Sequence, residues 1–300
     1  MHALAGDSVQ LRFALPAEPL RRYVTTYYRT DVVCSVGRVW LEDWLHPEWA
    51  NIRFLGAVDA QSVIGPGPLA ACPVFTVTGP TSRAVRFRVG SGHSWGVGLL
   101  PLGWARLFAA GASDYADRFV DGAADPVFAP LAPLAAALAK SRGNHAAELA
   151  QIEAHMARLF DGPRHPSEAA IIAIHAALID PDTLTVADIA ARVGMTVRSL
   201  ERLSRRAFGF PPKLLLRRQR FLRSLARFMI DPSRKWLGTL DCSYHDQSHF
   251  VRDFRRFMGM SPSEYARAEK PLLAAAARAR LAVAGAAVQG LHAPTPAGAS

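Results

Sequence analysis

Two arginine-rich stretches carry the clearest chemical signal in the sequence. RLSRRAFGFPP (202–212) and RDFRRFMGMSP (252–262) are related by an offset of 50 residues: Arg202, Arg205, Arg206, Gly209 and Pro212 match Arg252, Arg255, Arg256, Gly259 and Pro262, and Leu200 matches Phe250. A guanidinium is planar, forked and permanently charged, so it suits a phosphate or the O6/N7 edge of guanine. Arginines repeated at helical spacing therefore point to contact with a nucleic acid. Phe250, Phe254 and Phe257 recur at the spacing of an inward helix face and read as core, not as a base-stacking platform. His245 and His249 lie four apart, as a zinc pair would, but no third ligand follows at useful spacing. An outward, DNA-facing position is the better account of both.

Positioning these side chains requires two small helical units. In the first, LTVADIAARVG (184–194) is predicted helical, with Ile189, Ala190 and Val193 on one face, Thr185 as N-cap and Asp188 at N3. Gly194 permits a left-handed turn. Thr196 can cap VRSLERLSRRAF (197–208), where Leu200, Leu203 and Phe208 face inward and Arg198, Glu201, Arg202 and Arg205 outward. Helix, glycine turn and arginine-faced helix form the helix-turn-helix pattern, whose second helix enters the major groove. In the second unit Asp246 caps a helix offering Gln247, Ser248, His249, Arg252, Arg255 and Arg256. PKLLLRRQRFLRSLARFM (212–229) joins the units as a helix of about 27 Å at 1.5 Å per residue. Successive major grooves lie about 34 Å apart, within reach of two helices so spaced.

The charge agrees. The 300 residues hold 35 Lys and Arg against 25 Asp and Glu, a net +10, and only four of the basic residues are Lys. Residues 184–270 hold 18 basic and 8 acidic residues, so this segment carries the whole excess and the rest of the chain is neutral. That is the electrostatic footprint of a nucleic-acid-binding domain, and it is expected on the outer faces of the repeated helices. Half the chain is hydrophobic and a fifth charged, which excludes collagen, coiled coil and disorder throughout. Three Cys at 34, 72 and 242, with no CxxC, suggest neither a disulfide framework nor structural zinc, and a reducing cytoplasm is the expected location. No signal peptide is read at the N-terminus. No apolar run approaches 18 residues, the tail being interrupted by Arg278 and Arg280, so no membrane span is expected.

Upstream, seven short runs between residues 8 and about 105, rich in Val, Phe, Tyr, Trp and Thr and separated by Gly/Pro/Ser/Asp breaks, predict a β-sandwich or barrel. WARLFAAGASDYADRFVDG then reads as a short helix, a turn and an extended piece. The expected fold class is α+β: a β-rich sensing domain over 1–130, a helical linker or dimerisation hairpin over 131–165, an all-α double helix-turn-helix domain over 166–270, and an Ala/Gly/Pro-rich tail over 271–300. The tail is expected to hold one helix at 272–284, and its last dozen or so residues to be disordered. Trp40, Trp44, Trp49, Trp95, Tyr27 and Tyr28 are candidates for lining a ligand pocket, although aromatics on strands are more often core.

GMTVRSLERLSRRAFGFPPK, the linking helix and DCSYHDQSHFVRDFRRFMGMSPSEY together resemble the DNA-binding domain of AraC/XylS-type transcription regulators over roughly 168–267. The first 130 residues are similar, more weakly, to the cupin-like sensor region of some members. The resemblance implies a sequence-specific regulator, usually an activator that contacts RNA polymerase and often responds to a small-molecule effector, with double-stranded DNA as its partner. By position in the motif, it makes Arg198, Glu201 and Arg202, and in the second unit His245, Gln247, Ser248, His249 and Arg252, base-reading candidates; Arg205 and Arg256 complete the expected DNA-binding set. Two departures stand out: Gly238-Thr239 replaces the usual Ile-Ala pair of the second unit's first helix, and Ser243 replaces the glycine of its turn. Homodimerisation is expected of the 131–160 hairpin unless its apolar stripe packs on the β domain. No catalytic residue, metal or cofactor is expected: the HxH…E…H arrangement of enzymatic cupins is missing, as are GxSxG, P-loop and GxGxxG patterns. The alternatives are a cupin-like enzyme with an appended DNA-binding domain and an architectural protein without sequence preference.

Overall fold

The computed structural model of the protein describes residues 6–56, 58–141, 143–230, 240–241, 244 and 246–294. Among the described residues ten strands lie within the first 121 positions: β1 (Ser8–Ala14), β2 (Val24–Val33), β3 (Leu41–Leu45), β4 (Asn51–Leu55), β5 (Ala60–Ile64), β6 (Ala70–Ala71), β7 (Phe75–Thr78), β8 (Val85–Val89), β9 (Gly92–Leu99) and β10 (Phe119–Asp121). They form two antiparallel sheets, ordered β1-β2-β9-β4-β7-β10 and β3-β8-β5-β6. The seven predicted runs are all present. β5, β6 and β10 complete the sheets; β5 has a polar start, AQS, and no apolar alternation to betray it.

The larger sheet is covered on both faces, which explains its nearly continuous apolar strands. One face looks across to the smaller sheet. The other, with Ile52, Phe54, Val77 and Val97, packs on α1 (Pro101–Leu107), α2 (Ala132–Ala139), α3 (His145–Phe160) and α4 (Glu168–Ile179). The α2–α3 hairpin buries its stripe here, through Leu134, Leu138, Ile152, Met156 and Phe160, and Phe160 stacks on Tyr23 at 4.2 Å. Its apolar face is thus covered by its own chain.

The remaining helices are α5 (Val186–Arg192), α6 (Val197–Phe208), α7 (Pro212–Ile230), α8 (Gln247–Met258), α9 (Pro262–Arg267) and α10 (Pro271–Ala284). Ile189, Leu200, Phe208 and Leu215 belong to the same core as the large sheet, whereas Phe221, Phe250, Phe254, Phe257 and Tyr265 form a second core. The predicted tail helix is α10, which lies along β1 and β3. The segment 271–291 has the length and mean hydropathy, 1.4, of a membrane span. Its helix, however, stops at Gly285 after 14 residues, about 21 Å, short of the roughly 30 Å hydrocarbon core.

The disorder expected of the last dozen residues is corrected over 289–294. Gln289–Leu291 form a 3-10 turn with Gln289 and Gly290 buried: Gln289 Nε2 donates to the Ala50 carbonyl at 3.3 Å, and Gln219 Nε2 donates to the Gly290 carbonyl at 2.6 Å. Composition alone hid these two anchors. Residues 295–300 lie outside the described residues, as do Gly238, Thr239, Cys242, Ser243 and His245.

Candidate nucleic-acid interface

The 50-residue repeat extends to the capping groups. α6 and α8 are both twelve residues long. Thr196 Oγ1 accepts from the Ser199 N–H at 3.2 Å, and at the equivalent place Asp246 Oδ1 accepts from the His249 N–H at 2.6 Å. Gly209 (φ 83°) and Gly259 (φ 73°) end the helices in the left-handed conformation, and Pro212 and Pro262 open the helices that follow. In the first unit Thr185 and Asp188 form a reciprocal capping box, with bonds of 3.1 and 2.8 Å, and Gly194 turns at φ 64°. These caps satisfy amides that a helix end otherwise leaves orphaned.

On α6, Arg198, Glu201, Arg202 and Arg205 are exposed. On α8, Gln247, Ser248, Arg252 and Arg256 are exposed, and half-buried His249 meets the Tyr244 ring edge-on at 5.8 Å. The structure thus brings nine of the ten candidates onto the outward faces of two equivalent helices; His245 lies outside the described residues.

Not all of the basic excess faces outward, however. Within the linking helix α7, Arg217 and Arg220 turn to the buried carboxylate of Asp253, which also accepts from the Tyr244 hydroxyl at 2.9 Å. Arg223 pairs with buried Asp241 at 2.5 Å. Arg218 is fully buried: Nη1 donates to the carbonyls of Thr81 (2.9 Å) and Glu48 (3.3 Å), and its guanidinium sits 4.0 Å over the Trp49 ring. Burial pulls its pKa down to about 9. The expectation that the charge lies on the outer faces of the repeated helices is therefore corrected for these four arginines. A signal was present: Arg218 falls at i+3 from Leu215, and Asp253 at i+3 from Phe250, both inside apolar stripes.

These contacts seat the helical domain on the β domain. Phe208 meets Trp49 edge-on at 5.7 Å, the Ala84 N–H donates to the Phe257 carbonyl at 2.6 Å, and His46 Nε2 lies 2.8 Å from the Tyr265 hydroxyl.

A cavity of about 180 Å³ opens between the two sheets and α10. Phe13, Tyr28, Leu55, Phe87 and Leu273 give it apolar walls, and Arg53, Glu48 and Arg280 a charged end. Of the six aromatic candidates only Tyr28 lines it; Tyr27, Trp49 and Trp95 are core, as aromatic strand residues usually are. Tyr28 lies flat on Gly96, where a Cβ would come within 1.9 Å of its ring. Among the described residues no cluster of three or more His, Cys, Asp or Glu side chains is arranged to hold a metal.

Among the described residues α5, the Gly194 turn and α6 form one helix-turn-helix, and α8 repeats its capped, arginine-faced second helix; the first helix expected of the second unit lies outside the described residues. Residues 189–268 match the family model described as "Helix-turn-helix domain". The chain carries an AraC/XylS-type helix-turn-helix domain, the DNA-binding module of transcription regulators. No curated protein matches. Among solved structures the chain is similar to ToxT from Vibrio cholerae, with 10% identity, 87% of this chain and 98% of that one covered, and a TM-score of 0.40. It is also similar to unsaturated fatty acid-bound ToxT (11%, 89% and 97%, 0.39) and to the AraC-like transcriptional activator CuxR (14%, 73% and 87%, 0.28).

Proposed function

We infer that the protein is a sequence-specific, DNA-binding transcription regulator that reads successive major grooves with α6 and α8. The observation that carries this reading is the equivalence of the two helices: the same length, N-caps and left-handed glycine ends at matched positions, and three outward arginines at matched positions. Arg198, Glu201, Arg202 and Arg205 form one contact set, and Gln247, Ser248, His249, Arg252 and Arg256 the other, with His245 assigned by its place in the motif. Activation through RNA polymerase and a cytoplasmic setting belong to the same reading. The β domain supplies the regulatory input by binding a small effector in its inter-sheet cavity. Homodimerisation would need a surface other than the buried stripe of the α2–α3 hairpin.

Sequencing the fragments that the protein selects from a random DNA pool tests specificity and half-site spacing together. A recurring motif with two blocks about one helical turn apart is expected. Arg202→Ala or Arg252→Ala should weaken binding by about 1–3 kcal/mol and relax one position of the motif. Affinity should also fall steeply with salt. Recovery of unrelated fragments would favour an architectural protein without sequence preference.

A further inference from the structure

The charged end of the inter-sheet cavity is not electrically balanced. Glu48 has both carboxylate oxygens engaged: Oε1 accepts from Arg53 Nη2 at 2.5 Å, and Oε2 from Asn51 Nδ2 at 3.0 Å. Asn51 Oδ1 in turn accepts from the Tyr28 hydroxyl at 2.8 Å, and Arg53 Nη1 donates to Thr78 at 3.0 Å. Glu48 thereby neutralises Arg53. Arg280 enters the same cavity from α10 with only 7% of its surface exposed, its guanidinium 4.7 Å over the Phe13 ring. Among the described residues its buried Nη1 has no hydrogen-bond partner and no carboxylate forms an ion pair with it. Burial pulls its pKa down to about 10, so it is still charged at neutral pH. An unpaired buried charge is costly, whereas a paired, hydrogen-bonded one is tolerated.

We propose that this cavity binds a compact, otherwise apolar monoanion whose charged group pairs with Arg280, making the C-terminal helix α10 part of the effector site. The proposal rests on the reading of the β domain as a sensor. The excess of one positive charge sets the ligand's charge, and the walls of Phe13, Leu55, Phe87 and Leu273 set its apolar body. The volume sets its size: a cavity of roughly 150 Å³ accepts benzene, so about 180 Å³ suits a single ring bearing a small anionic group. The ligand's grip falls on a helix that starts only three residues after the last helix of the second DNA-reading unit ends. Residues 268–270 alone separate the ligand-gripping helix from α9.

Calorimetric titration of the full chain with cyclohexanecarboxylate and with its neutral isostere, cyclohexanecarboxamide, tests the proposal. The carboxylate should bind at least about tenfold more tightly, as expected of a charge-assisted pair in place of a neutral one. Arg280→Met should abolish that preference while melting no lower than the parent, because it removes an unpaired buried charge; Arg280→Lys should retain the preference. Equal binding of the two compounds, an unchanged carboxylate affinity in Arg280→Met, or no binding of the carboxylate at millimolar concentration would each overturn the proposal. DNA selection by Arg280→Met is read in parallel. If the parent chain selects DNA but shows no carboxylate preference, the anion site alone fails, whereas a parent chain that selects no DNA sinks the regulator reading.

Discussion

Gly209 and Gly259 provide a matched pair for testing whether the first DNA-reading unit is seated on the β domain in solution. Both end a recognition helix in the left-handed conformation, at φ 83° and 73°. An alanine in that conformation costs roughly 1–2 kcal/mol. At Gly259 an added Cβ meets nothing within 4 Å, so Gly259→Ala should cost about that backbone penalty and no more. At Gly209 the Cβ would lie 3.1 and 3.2 Å from Pro80 and 3.3 Å from the Ala112 carbonyl oxygen, all in the β domain and its adjoining turn. Overpacking of this kind costs about 1–3 kcal/mol more. Urea unfolding of the two full-length variants, compared at equal m, reads the difference. Gly209→Ala should be less stable than Gly259→Ala by at least about 1 kcal/mol. Equal losses, within about 0.5 kcal/mol, would mean that the Pro80–Gly209 contact is not maintained, and the account of the seated domain would fail with it.

Three further outcomes follow from buried polar groups and one close approach. Asp253→Asn should destabilise the chain by about 2 kcal/mol, below the usual cost of breaking a buried pair because Arg217 and Arg220 are partly solvated; a change under 0.5 kcal/mol in urea unfolding would contradict the role given to this carboxylate. Asp43, buried and accepting from the Leu272 and Leu273 amides at 2.8 and 2.9 Å, has its pKa raised to about 6 by burial. The folded protein thus holds that proton more tightly than the unfolded chain does, so this contribution is present at low pH and lost as pH rises through 6. Relative to Asp43→Asn, the parent should lose about 2 kcal/mol between pH 4 and pH 7; a pH-independent difference between the two would contradict it. Gly96→Ala should expel the Tyr28 ring at a cost of about 1–3 kcal/mol, seen as a lowered melting temperature and a changed near-ultraviolet dichroism; an unaltered spectrum would place Tyr28 elsewhere.

What was legible in the sequence was local. Thr185, Thr196 and Asp246 announce helix starts by residue type, Gly194, Gly209 and Gly259 announce turns, and the Phe250–Phe254–Phe257 stripe announces an inward face, because each effect acts within one or two turns of chain. The double unit and its outward arginines follow from these. Longer-range pairings were not legible. Nothing in the neighbourhood of Arg218 names Trp49 and Thr81, more than 130 residues away, as its partners. Arg280 looked like a charge interrupting an apolar run, and only the sheets reveal that it enters a cavity. For Arg218 the apolar stripe gave the side chain's direction and left its partners to the tertiary fold.

The closure of the inter-sheet cavity by α10 has a consequence for biosynthesis. The strands that form most of the cavity are complete by Asp121, and the helix that supplies Arg280 begins at Pro271. At ribosomal rates of about 5–20 residues per second, the β domain waits on the order of ten seconds with that side open while the DNA-reading units are made. A nascent or prematurely terminated chain therefore lacks the wall that carries Arg280. Ligand responsiveness would then arrive only with the last helix, after the DNA-reading units have been translated.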